Sequence, residues 1–158
     1  VVAKAAEEWV LLAYRLPREP STPRITVWRR LKRLGVAQLL DGLVALPLTA
    51  KNREQLEWVA QAVSDAGGEA AVWIGGLASR MDEARLVDSL REQMAAEYRE
   101  LVREAEQVGR SSSGRRRSVQ RLERELRRLA QRDHFPPPEA DEARRVVGQL
   151  ARRIEVGT

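Results

Sequence analysis

Residues 8–35, EWVLLAYRLPREPSTPRITVWRRLKRLG, decide how the chain is read. Trp9-Val10-Leu11-Leu12-Ala13-Tyr14 is apolar on both alternating faces, so Trp9 to Leu16 reads as a strand covered on both sides. Pro17 ends it, because proline cannot donate to a central ladder. A proline-bracketed loop follows from Pro17 to Pro23. Thr22-Pro23 then looks like an N-cap followed by proline at the first helical position. The extended geometry preferred before proline is also the geometry of an N-cap. The helix from Arg24 to Leu34 shows an apolar stripe of Ile25, Trp28, Leu31 and Leu34, with Val27 beside it. Arg29, Arg30 and Arg33 lie on its other side, and Gly35 is a good stop.

Working outward, Val36 to Leu40 and Leu43 to Leu46 flank Asp41-Gly42, a dipeptide suited to a type I′ hairpin turn. Asn52 can cap the next helix, whose buried face is Leu56, Val59, Ala60 and Val63, and Gly67-Gly68 ends it. Ala70 to Ile74 reads as a fourth strand closed by Gly75-Gly76. The order βαββαβ is the ferredoxin-like plait, an α+β fold. The expected division is a plait over residues 8–77 and a three-helix extension over 79–156. Its helices are placed at about 80–108, 115–132 and 139–155, on the spacing of their apolar residues. The first opens on Ser79 and Asp82, which resemble a capping box, and Gly109 stops it. Arg110 to Gly114, RSSSG, is the expected flexible loop, and His134-Phe135-Pro136-Pro137-Pro138 is a rigid break. A plait puts both helices on one face of its sheet. Since these strands are apolar on both, the second face calls for the C-terminal helices or a homodimer.

Composition narrows the function classes. No apolar run approaches the ~20 residues of a membrane span, so a soluble chain with no membrane partner is expected. Val1-Val2-Ala3-Lys4 lacks the features of a signal peptide. The chain has no cysteine, which excludes disulfides, thiolate metal sites and cysteine nucleophiles, and fits the cytoplasm. The net charge of +5 is unevenly placed. From Arg110 to Phe135 the bases are Arg110, Arg115, Arg116, Arg117, Arg121, Arg124, Arg127, Arg128 and Arg132, against only Glu123, Glu125 and Asp133. Such a block suits an anionic partner, nucleic acid above all, or else a solvated helix face.

Catalytic chemistry finds little support. His134 is the only histidine and sits beside a proline run, while Glu7, Glu8 and Glu19 show no spacing that chemistry requires. Phosphate-binding and dinucleotide fingerprints are absent from the sequence. A non-enzyme with no catalytic residues, no metal and no cofactor is therefore expected. Two binding sites are candidates. For DNA, the cations are Arg29, Arg30, Lys32 and Arg33 on the first helix, with Arg115, Arg116, Arg117, Arg121, Arg124 and Arg128 further on. Arg121, Arg124 and Arg128 can instead pair with Asp88, Glu92, Glu97 and Glu104 on the acidic helix. For an oxyanion, Arg15, Arg18, Ser21, Thr22 and Arg24 gather at the start of the first helix, where N–H groups and guanidinium forks suit a tetrahedral dianion. Pro23 removes one N–H from that cradle, and a merely capped helix is the alternative.

The run WVLLAYRLPREPSTPRITVWRRLKRLGVAQLLDGLVALP, ending on GGEAAVWIGG, resembles the N-terminal domain of the chromate-resistance ChrB family. RDHFPPPEADEARRVVGQLARRI is similar to that family's Asp-Phe-Phe-Pro break before its last helix, with His134 in place of the first Phe. The resemblance implies a part in regulating chromate resistance, as a chromate-responsive regulator of an efflux operon. Chromate or a related oxyanion is thus a candidate ligand. Full-length members carry a further C-terminal domain, so the resemblance also implies a fragment or a stand-alone version. The plait half is more distantly similar to the ferredoxin-like domain of the phenylacetate repressor PaaX and to small CRISPR-associated ferredoxin-like nucleases. Where those nucleases hold a divalent metal on an Asp, this chain has Tyr14-Arg15, and arginine would repel a cation.

Overall fold

The computed structural model describes residues 8–111 and 113–157. Glu7, the N-terminal run Val1 to Lys4 and Ser112 of the RSSSG loop lie outside the described residues. The chain divides into two compact units between Leu86 and Val87.

The first unit holds β1 (Trp9–Arg15), α1 (Thr22–Leu34), β2 (Ala37–Leu40), β3 (Leu43–Pro47), α2 (Ala50–Asp65) and β4 (Glu69–Gly75). Its four strands form one antiparallel sheet in the order β2-β3-β1-β4. That order with βαββαβ connectivity is the expected ferredoxin-like plait. Val10 and Leu12 of β1 and Val44 and Leu46 of β3 point to one face of the sheet. There they pack with Val27 and Leu31 of α1 and Leu56, Val59 and Val63 of α2. Burying each such side chain contributes roughly 1.5–3 kcal/mol, so this layer holds the plait together. On the opposite face Trp9 is buried, and its indole Nε1 donates to Glu83 Oε1 at 3.3 Å.

Local chemistry departs from the sequence reading at three points. Helix α1 starts at Thr22 with Ser21 as N-cap, and Ser21 sits in right-handed helical geometry with no side-chain cap bond. Thr49, not Asn52, caps α2: its hydroxyl accepts from the Asn52 N–H at 3.0 Å. Asn52 lies inside the first turn, buried, and its side-chain amide donates to the Pro47 carbonyl at 2.9 Å. The hairpin turn is not type I′, since Gly42 has φ +77° while Asp41 stays at negative φ. A register shift between Gln38 and Leu40 accommodates it.

Helices α3 (Arg80–Arg110), α4 (Arg115–Arg132) and α5 (Pro138–Val156) make up the remainder. Ser79 Oγ accepts from the Asp82 N–H, one of the two bonds of a capping box, while the Asp82 carboxylate lies near Arg85. Helix α3 runs one residue past Gly109. The second unit has its own core, built from Met94, Tyr98, Leu101 and Ala105 of α3, Val119, Leu122 and Leu129 of α4, and Ala143, Val147 and Leu150 of α5. At the break before α5 the Tyr98 hydroxyl donates to Asp133 Oδ2 at 2.9 Å. Burial first, and then that carboxylate, push the tyrosine pKa well above its ordinary value. No helix among the described residues is long and apolar enough to cross a membrane.

Candidate nucleic-acid interface

The surface that stands out is built on α1. Its sequence, TPRITVWRRLKRL, holds five cations and no acid. The buried positions are Val27 and Leu31, four residues apart, with Leu34 packed beside them. Ile25 and Trp28, read from the sequence as part of the buried stripe, instead face outward at 47% and 37% exposure. The apolar residues of α1 cover more than one helix face. Only the row on the 27-31-34 line meets the sheet, and the row on the 25-28 line is left among the cations.

Those cations are arranged around indoles. Lys32 lies one turn on from Trp28, its Nζ 5.6 Å from the ring centroid. The Arg30 guanidinium lies 6.0 Å from the ring centroid of Trp58 on α2, an indole that is 60% exposed. Both are cation–π distances. Arg24, Arg29, Lys32 and Arg33 are exposed and Arg30 is half-buried. None of the five has a carboxylate within ion-pair distance among the described residues. The resulting surface carries uncompensated positive charge with aromatic faces between the charges. Trp58 went unnoticed in the sequence. Its one signal is that it lies off the Leu56-Val59-Val63 stripe of its own helix.

The second basic segment behaves differently. Arg121 pairs with Glu104 at 2.8 Å, Arg128 with Glu125 at 3.5 Å, and Arg132 binds both carboxylate oxygens of Glu97. Met94 Sδ and the Glu97 carboxylate hold the Arg132 guanidinium, whose pKa is raised chiefly by hydrogen bonding to Glu97. Arg115 donates to the Ser111 carbonyl. Arg116, Arg117 and Arg124 remain exposed without an ion-pair partner among the described residues. Much of the charge on α4 is thus tied to its own unit.

The oxyanion set is only partly brought together. Arg15, at the end of β1, is paired with Glu69 at the start of β4 and so is held toward that strand. Arg18, Ser21, Thr22 and Arg24 are exposed along the loop and the first turn of α1. The Ser21 hydroxyl caps nothing, the Ser21 carbonyl accepts from the Ile25 N–H, and the Thr22 carbonyl accepts from the Thr26 hydroxyl. Tyr14 near this end has its pKa raised, by burial first and by Asp41 second, with Arg24 opposing. Among the described residues there is no group of three or more acids or histidines able to hold a metal ion.

The family model described as "Protein ChrB, N-terminal" matches residues 24–110, from the first turn of α1 to the last residue of α3. The chain belongs to the ChrB family. A Protein ChrB of Cupriavidus metallidurans is 33% identical over 128 residues, covering 78% of this chain and 36% of that protein. The chain therefore spans about a third of the length of the curated ChrB relative it matches. No solved structure gives a significant match. The ChrB match takes in the whole α1 cation cluster, α2 with Trp58, and β4, whereas α4 and α5 lie beyond its end.

Proposed function

We propose that this chain is a non-catalytic DNA-binding module of a cytoplasmic chromate-resistance regulator, holding the duplex through phosphate contacts from α1. One observation carries the reading: α1 has five cations, no acid, and no carboxylate within ion-pair distance of them among the described residues. Five like charges on a helix of 13 residues repel one another, and that arrangement becomes favourable when a polyanion lies against it. Arg29, Lys32 and Arg33 contact phosphate, while Arg30 is steadied by Trp58. On α4, Arg116, Arg117 and Arg124 contribute a lesser share, because Arg121 and Arg128 already have carboxylate partners.

Titration of a labelled duplex at two salt concentrations tests this. Binding that weakens steeply with salt is expected, and binding insensitive to salt contradicts it.

A further inference from the structure

The strand order β2-β3-β1-β4 leaves two sheet edges. The β2 edge is guarded in a common way, being four residues long with a register shift between Gln38 and Leu40. The β4 edge has no such protection. It is seven residues long, contains neither proline nor lysine, and pairs with β1 without a shift from Trp9↔Gly75 to Arg15↔Glu69. Its one charge, Glu69, sits at the end and is already paired with Arg15. Glu69, Ala71, Trp73, Ile74 and Gly75 are exposed, Trp73 by 62%. A long, regular, nearly uncharged edge of this kind is a template for another strand.

We propose that β4 is a homodimer interface, in which the β4 strands of two copies pair antiparallel about a twofold axis at Val72. The two sheets become one of eight strands. The register follows from the side chains. A twofold axis perpendicular to the sheet keeps the helix-covered faces of both copies on the same side. Residues opposite one another must then come from the same face of the strand, which puts the axis on a residue and not between two. With the axis at Val72 all seven residues are paired. Trp73 meets Ala71, Ile74 meets Ala70, Glu69 meets Gly75 and Val72 meets its own copy. The three largest side chains each have a small residue opposite, the centre is a β-branched pair, and no like charges face each other. An axis at Trp73 sets two indoles directly opposite and leaves Glu69 and Ala70 outside the ladder. An axis at Ala71 leaves Ile74 and Gly75 outside it. The strand is thus self-complementary in one register, and a second copy of this chain is the occupant it fits. Both α1 helices then lie on one side of the joined sheet, the arrangement by which twofold DNA-binding proteins present two reading elements.

Sedimentation equilibrium of the 158-residue chain tests the proposal, together with cysteine crosslinking in a chain that has none of its own. A strand-pair interface is small, so a concentration-dependent monomer–dimer equilibrium is expected. Trp73→Lys, at an exposed position, should shift it at least tenfold toward monomer with the circular dichroism unchanged. Val72→Cys should give a covalent dimer on mild oxidation, because the two copies of residue 72 are directly opposite, while Ala70→Cys should not. A monomer at every concentration overturns the proposal. So does a dimer indifferent to Trp73→Lys, or crosslinking at position 70 as efficient as at 72.

Discussion

The Arg30 guanidinium lies 6.0 Å from the ring centroid of Trp58, joining α1 to α2 on the outer surface of the plait. An indole exposed by 60% is unusual for a residue that packs well in cores, and the cation over its face gives it a partner there. Removing the ring should affect binding more than folding. Trp58→Ala is expected to cost about 0.5–1 kcal/mol in urea unfolding, the size of an exposed cation–π contact. DNA affinity should fall several-fold, because Arg30 loses the surface that orients it. A variant that binds like the parent removes Trp58 from the interface.

Gly42 carries the hairpin. Its φ of +77° disfavours any residue with a Cβ, and a Cβ there would meet the Tyr14 carbonyl oxygen at 2.4 Å. The same turn accepts the Tyr14 N–H on the Gly42 carbonyl at 2.8 Å, so β1 and the turn cannot separate without losing that bond. Gly42→Ala should destabilise the chain by about 2–3 kcal/mol, the sum of left-handed strain and a displaced backbone contact. Denaturant unfolding measures it, and a loss under about 0.5 kcal/mol contradicts the turn geometry.

Tyr98 is buried and donates to Asp133, whose other oxygen, Oδ1, is buried with no partner among the described residues. Tyr98→Phe leaves that carboxylate less satisfied and should cost about 1–3 kcal/mol near neutral pH. The pH dependence has a definite sign. The folded pKa lies above the unfolded value near 10, so the contribution is intact below pH 10. It falls as pH rises further, because the unfolded chain ionises first. The stability gap between parent and Tyr98→Phe should therefore narrow above pH 10. A gap that widens there refutes the assignment.

The plait was legible because its strands announce themselves through apolar runs and its breaks through Gly35, Gly42 and Gly67-Gly68. What escaped was decided mostly by packing between elements. The apolar residues of α1 fit more than one face, and only contact with β1 and β3 selects Val27 and Leu31 over Ile25 and Trp28. Caps shifted for a related reason. Thr49 and Asn52 are both competent, and Asn52 is drawn inward by the Pro47 carbonyl. The cations of α1 could be counted from the sequence. The acidic helix was also legible as a source of partners, and Arg121 does pair with Glu104 as that reading allows. Arg128 turns instead to Glu125 on its own helix and Arg132 to Glu97, choices made only in the folded helices.

Under the proposed function the α1 cations, more than those of α4, hold DNA. The direct measurement is the slope of log affinity against log salt concentration for one duplex. It should be taken with the parent, with Arg29→Gln/Lys32→Gln/Arg33→Gln, and with Arg121→Gln/Arg124→Gln/Arg128→Gln. Each lost phosphate contact lowers the slope by about one. The α1 triple variant should flatten the slope by about three and weaken binding uniformly across sequences. The α4 triple variant should flatten it by about one, since Arg121 and Arg128 are paired with Glu104 and Glu125. An unchanged slope for the α1 variant, or the larger loss from α4, contradicts the account.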